Sequence, residues 1–277
     1  MNYLIALAIF LIAGYAFGRG AGKIRLPEVV GFIVFGALIG PSALGLFSRS
    51  FLENFAVIEI VALSFIAYQI GGELGVRQLH REGKALGILV FSQATMAYLF
   101  VAGLLWFWTG DLFLSLILAA TAVATAPGAV KAVLDESRAG DEFTKFLYHV
   151  MAIDDFFAIL FFALTVSLLG ARSQFLLHAG REIVGALILG ILLGYGIHWL
   201  RKHHARMETL LIYEVGGLFL GAGISMAYDF SYLLTGMAFG FTLVNLSGED
   251  HHLFVLSRRL ERMIYVIFFV LVGTQLE

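Results

Sequence analysis

Cysteine is absent from this chain, and charge is scarce: only 14% of its 277 residues are Asp, Glu, Lys or Arg. Without a thiol there can be no disulfide, no Cys-based zinc site and no thiol chemistry. Soluble domains carry about 25% charged residues, so the deficit excludes an ordinary soluble globule. Proline is also rare, three residues in all. The apolar stretch 2–18 lacks a basic leader and a small-residue cleavage site, so it reads as a retained first helix and not as a signal peptide. A net charge of −2 points by itself to no class of partner, and no nucleic-acid partner is expected. What the chain does have is apolar length: 60% of its residues are hydrophobic and the mean hydropathy is +0.90. Such a composition predicts an all-α polytopic membrane protein whose first partner is the lipid bilayer.

Ten apolar segments are separated by short polar loops, approximately 2–18, 26–46, 55–73, 85–108, 112–135, 145–170, 182–200, 209–228, 230–247 and 262–277. The loops after odd-numbered segments hold three basic residues each: Arg19, Lys23 and Arg25; Arg77, Arg81 and Lys84; Lys131, Arg138 and Lys145; Arg201, Lys202 and Arg206; Arg258, Arg259 and Arg262. Of the 18 basic residues, only Arg49, Arg172 and Arg181 fall on the opposite side. The positive-inside rule therefore places the N-terminus outside a plasma (inner) membrane and the basic loops in the cytoplasm. Trp106 and Trp108, at the outer end of segment four, suit an aromatic belt.

An internal repeat is also visible. Ile70-Gly71-Gly72-Glu73-Leu74 ends segment three, and Val272-Gly273-Thr274-Gln275-Leu276 ends segment ten. Segment two carries Gly31, Gly36 and Gly40, and segment nine carries Gly236 and Gly240. Segments seven places apart cross in opposite directions, so the pattern is an inverted-topology repeat in which segments eight to ten repeat one to three and segment seven is the bridge.

Asp154 and Asp155 lie inside the apolar run 145–170. At about 1.5 Å per residue Asp154 sits about 14 Å in from Lys145, near the middle of a roughly 30 Å hydrocarbon slab. One carboxylate at that depth costs on the order of 3 kcal/mol, and Leu or Ala would make the better helix, so the pair predicts an ion or proton site. Neighbouring helix positions point about 100° apart, so one acid can face a cavity while the other turns to an adjacent helix. Burial penalises the bare carboxylate, which lets one acid hold either a proton or a small cation.

Segment five contains Thr121-Ala122-Val123-Ala124-Thr125-Ala126-Pro127-Gly128. Proline removes a backbone donor and clashes with the preceding turn, and glycine loosens the chain further, so Ala126, Pro127 and Gly128 predict a broken helix within a span. Carbonyls freed at the end of the first half-helix, with the Thr125 hydroxyl, would suit a hard cation. Glu59 and Glu214 read as auxiliary or interhelical hydrogen-bonding groups, and His149 as a satisfied interior histidine. Lys131 and Asp135 read as a snorkelling surface pair. His203, His204, His251 and His252 read as headgroup-facing loop residues.

These residues resemble a family. Leu26-Pro27-Glu28, Gly40-Pro41-Ser42-Ala43-Leu44-Gly45-Leu46, Gly72-Glu73-Leu74, Thr125-Ala126-Pro127 and Ile153-Asp154-Asp155 are similar to the monovalent cation/proton antiporters, and most of all to their second group of Kef-type and bacterial Na+/H+ exchangers. The resemblance implies an inverted-repeat sodium/proton-antiporter fold of about thirteen helices, ten of them present, usually a homodimer working by an elevator motion. It implies dimerisation helices over 1–73 and 209–277, the first half of the ion-translocating core over 85–170 and a linker helix over 182–200. It makes Asp155 the ion- and proton-carrying acid, Asp154 its partner, and Asp155 with Thr125 the ligands of the transported cation. Ala126 departs from a Ser common in the family. A further broken helix and a basic partner for Asp154 would lie beyond residue 277, so a fragment that dimerises without exchanging ions is an expectation. The transported ions would be H+ and Na+, with K+ as the alternative and Li+ as a substitute, and no cofactor is expected. Three rivals follow: K+/H+ exchange, a truncated non-transporting subunit, and an intramembrane aspartyl protease. The last needs two acids on facing helices, which adjacent residues on one helix do not supply, so no enzymatic activity is expected.

Overall fold

A computed structural model describes residues 2–137, 141–168, 174–203, 207–247 and 253–276. Among them every regular element is helical. The helices are α1 (Tyr3–Lys23), α2 (Glu28–Ile39), α3 (Arg49–Leu52), α4 (Ala56–Gly72), α5 (Val76–Thr109), α6 (Leu112–Ala122), α7 (Pro127–Ser137), α8 (Asp141–Leu168), α9 (Gln174–His203), α10 (Met207–Tyr228), α11 (Tyr232–Ser247) and α12 (Leu253–Thr274), with a 3₁₀ turn, Glu53–Phe55, between α3 and α4. Among the described residues, five stretches are long and apolar enough to cross a membrane: Tyr3–Lys23, Arg49–Gly72, Gly83–Thr109, Leu177–Arg201 and Thr209–Tyr228. Glu28–Ile39, Leu112–Ala122 and Tyr232–Ser247 are shorter apolar helices.

Each predicted segment has its helix, but the boundaries move where helix and hydropathy part company. Segment four, expected from 85, begins at Val76, and segment ten, expected from 262, begins at Leu253. Backbone hydrogen bonds carry a helix on through charged turns that an apolar window cannot see. The start of α5 is held from outside: its N-cap is Gly75, which has no side chain to offer, and Asn245 Oδ1 of α11 accepts from Val76 N–H at 2.9 Å. The same amide donates to Leu74 O at 2.9 Å, fixing the α4–α5 corner to the end of α11.

The inverted repeat is a property of the packing. α2 lies against α12 and α4 against α11, so the second member of each half packs on the third member of the other. The contacts correspond residue by residue. A Cβ on Gly36 would meet the carbonyl of Val270 and the N of Thr274; one on Gly240 would meet the carbonyl of Tyr68 and the N of Gly72. One on Gly71 would meet Met237 O, and one on Gly273 would meet Ile33 O. Positions in α4 and α12 are thus related by 202 residues, and those in α2 and α11 by 204. The turns before α2 and α11 obey the same relation: Arg25 (φ 64°) and Asp229 (φ 56°) are both left-handed. Leu26 N–H donates to Ala21 O at 3.1 Å and Phe230 N–H to Ser225 O at 2.9 Å. Side chains at the four glycines would drive the backbones apart, which is why small residues mark close crossings in lipid.

The largest hydrophobic cluster fills the space between α1, α2, α4 and α12, with Phe10, Phe47 and Phe55 at its centre. A second joins α4 to α9, α10 and α11 through Phe65, Tyr68 and Phe239. α5, α6 and α8 pack on one another, and Leu86, Val90 and Val150 form a third cluster there. The Thr165 and Tyr98 hydroxyls, 2.9 Å apart, tie α8 to α5. Trp106 and Trp108 stand 54% and 84% exposed in the last turns of α5, where a belt residue belongs.

Candidate ion site at a broken helix

Segment five is broken. α6 ends at Ala122, residues 123–126 are not helical, and Pro127 opens α7. The break therefore lies one step earlier than the expected Ala126-Pro127-Gly128: Ala126 belongs to it, while Pro127 and Gly128 are already the first turn of the second half-helix. Proline has no N–H to lose at a first helical position and biases the residue before it away from helical geometry, so it ends one helix and begins the next. Ala126 O takes the first bond of α7, from Val130 N–H at 3.1 Å. The side chain of Pro127 lies outside the described residues.

Asp154 is the fourteenth residue of the 28-residue α8, about 20 Å from its start. It is fully buried, and among the described residues neither carboxylate oxygen has a hydrogen-bond partner. Polar groups that act on it are the hydroxyl and backbone N–H of Thr125, in the break. Neither closes a hydrogen bond of ordinary geometry with the carboxylate, and Thr125 Oγ1 is itself buried without a partner among the described residues. The structure thus brings together Asp154 and Thr125. Asp155 follows on the same helix; its side chain lies outside the described residues. Among the described residues no group of three His, Asp or Glu side chains is spaced to hold a resident metal.

Other polar residues fall out as follows. His149 is 1% exposed and, among the described residues, only half satisfied: Nδ1–H donates to Lys145 O at 2.6 Å, while Nε2 has no partner there. Glu59 accepts from Gln275 Nε2 at 2.6 Å, an interhelical bond between α4 and the end of α12. Glu214 is 1% exposed on α10, beside the Tyr68 hydroxyl of α4. His204, His251, His252, Arg138, Arg172 and Arg206 lie outside the described residues, as does the side chain of His203.

Lys131 corrects an expectation. It does not snorkel: it is 4% exposed, its Nζ lies 2.6 Å from Glu261 Oε1 of α12, and it sits 5.6 Å from the Tyr148 ring centroid. The i,i+4 spacing to Asp135 described a surface pair, but α7 turns this lysine toward α12; the Asp135 side chain is not described. Among the buried polar groups that the sequence reading passed over are Ser64 and Gln69 of α4, each 2% exposed, with Ser64 Oγ and Gln69 Nε2 unpartnered among the described residues. Their signal was present: uncharged polar residues inside an apolar segment.

Residues 7–277 match the family described as sodium/hydrogen exchanger, transmembrane. The chain belongs to that family. It is 26% identical over 289 residues to the ammonium/H+ antiporter subunit AmhT of Alkalihalophilus pseudofirmus, covering 99% of this chain and 70% of that protein. It is 21% identical over 291 residues to the probable Na+/H+ antiporter GerT of Bacillus cereus, covering 100% and 74%. The structure superposes on two structures of the sodium proton antiporter MjNhaP1 of Methanocaldococcus jannaschii. One, an electron-microscopy map, gives a TM-score of 0.81 at 20% identity over 100% of this chain and 71% of the other. The second, at pH 8, gives 0.75 at 18% identity over 98% and 69%. At that identity the likeness shows the fold, which is the sodium/proton-antiporter fold of this family.

Proposed function

We propose that this member of the exchanger family is a secondary transporter that exchanges a monovalent cation for protons at the α6–α7 break and α8. The observation that carries the reading is Asp154: a fully buried carboxyl at mid-helix, with no hydrogen-bond partner among the described residues, acted on by Thr125 of a broken helix. A buried acceptor left unpaired is costly, and a proton or a cation removes that cost. The family resemblance implies that the neighbouring Asp155, about 100° further round the helix, carries the ion and proton, with Asp154 as its partner beside the break. Carbonyl, hydroxyl and carboxylate oxygens suit Na+, the favoured ion. Ammonium is the second reading, supported by the likeness to AmhT, since the same oxygens accept its N–H donors. The protein acts as a homodimer in a plasma membrane, with the N-terminus outside, the basic loops in the cytoplasm, and α5–α8 moving against the remaining helices.

The test is proton flux in proteoliposomes with an internal pH dye, driven by pulses of Na+, K+, Li+ or ammonium. Asp155→Asn keeps size and removes the titrating charge, so exchange should vanish; Asp154→Asn should leave partial activity or an altered proton stoichiometry. Full exchange by Asp155→Asn protein would sink the assignment, and the cation that drives saturable flux identifies the substrate.

A further inference from the structure

On the membrane face that carries the basic loops, α7 is tied to α2 and α12 by contacts that exchange at the site does not require. Glu261 Oε1 is the centre of one. It receives Lys131 Nζ at 2.6 Å and the Tyr265 hydroxyl at 2.8 Å, with both charged residues under 10% exposed. The second tie is at the start of α2. Pro27, its N-cap, has no side-chain acceptor, and Glu136 of α7 fills that role: its Oε2 accepts from Glu28 N–H at 2.7 Å. A carboxylate is favoured there by the exposed N–H groups and positive end of the helix. Arg262 and Arg19, both exposed, stand 3.8 and 4.0 Å from Glu28 and add little. Ala132 and Leu134 of α7 and Tyr148 and Met151 of α8 enter the same apolar cluster as Tyr265 and Phe269 of α12, below a crevice of about 160 Å³ lined by Ala132, Glu136 and Glu261.

We propose that the Lys131–Glu261 pair and the Glu136 cap form a latch that docks α7 on the scaffold helices and closes the basic-face route to the broken helix, and that the latch opens when the site is exposed to that face. A buried ion pair suits a switch better than a seal. Removing one partner strands a charge, whereas separating both into water returns the hydration each lost, so the pair holds one geometry without making the open state prohibitive. The reading rests on the proposed exchange, in which α5–α8 must move against α12.

Since the sequence has no cysteine, a single Ala132→Cys reports on the seam. An impermeant thiol reagent applied from the basic face should label it slowly in the parent. Glu261→Gln, which removes the carboxylate charge facing Lys131, should speed labelling by about tenfold or more. The charge exchange Lys131→Glu/Glu261→Lys should return the rate toward the parent. An unchanged rate in Glu261→Gln, or an exchanged pair as fast as the single variant, overturns the latch. If those variants fail to fold, Glu28→Cys/Glu136→Cys joined by a reducible cross-linker should stop exchange, and reductant should restore it. Undiminished exchange in the cross-linked protein is equally fatal. Labelling is read without an ion gradient. A parent that labels as expected but moves no cation therefore refutes the transport reading, not the latch.

Discussion

At the scale of single residues, the structure assigns roles that residue type alone leaves open. Glycine is the clearest case. Gly240 and Gly223 look alike in the sequence, yet a Cβ at Gly240 would meet the Tyr68 carbonyl and one at Gly223 would meet nothing within 4 Å. Gly240→Ala should therefore cost about 1–3 kcal/mol or more of overpacking. Gly223→Ala should be neutral or stabilise by about 0.5–1 kcal/mol, because Ala loses less freedom in a helix. Unfolding of the purified variants in detergent measures both. Equal stabilities would mean that α4 and α11 do not approach as described. Charged residues divide in the same way. Lys131 and Glu261 are partners although 130 positions apart, and no spacing rule links them. Asp154, by contrast, announces itself, because a carboxylate in the apolar run 145–170 has no structural explanation of comparable weight.

At the scale of elements, the broken helix was legible and its register was not. Pro127 marks the place, but proline acts on the residues before it, so the irregular backbone falls at 123–126 and the proline itself is helical. The consequence is testable. Pro127→Ala should leave unfolding within about 1 kcal/mol of the parent, since a first helical position tolerates either residue. It should nevertheless reduce exchange sharply, because residues 123–126 are then free to join α6 to α7 and remove the Thr125 hydroxyl and N–H from Asp154. Full exchange with unaltered stability would show that the break does not depend on the proline. The ends of α5 and α12 were missed for a related reason: hydropathy reports where a helix is apolar, while its hydrogen bonds and an external cap such as Asn245 decide where it starts.

At the scale of the whole molecule, the two halves form one interlocked unit. Because α2 packs on α12 and α4 on α11, the three-helix repeats share one core, and each supplies the other's partner. The orientation of that unit is open to a direct check on a cysteine-free background. A Ser50→Cys protein in intact cells should react with an impermeant thiol reagent from outside, and Ser137→Cys only after permeabilisation. The reverse pattern would invert the topology and move the latch to the outer face.

The sequence by itself determined that this is a membrane protein of helical spans and that its halves repeat in opposite directions, and it singled out one acid-bearing helix and one proline-broken helix as the candidate site. Those conclusions follow from local physics: apolar length, the backbone limits of proline and glycine, and the cost of a carboxylate in hydrocarbon. Only the tertiary structure decided which residues meet. The glycine registers, the burial of Lys131 against Glu261, the Glu136 cap on α2 and the approach of Thr125 to Asp154 all depend on helix rotation and depth. In a nearly all-apolar chain, hydropathy scarcely distinguishes one face of a helix from another. Rotation is therefore fixed by close packing and by pairing of the few polar groups, across separations in sequence that no local pattern records.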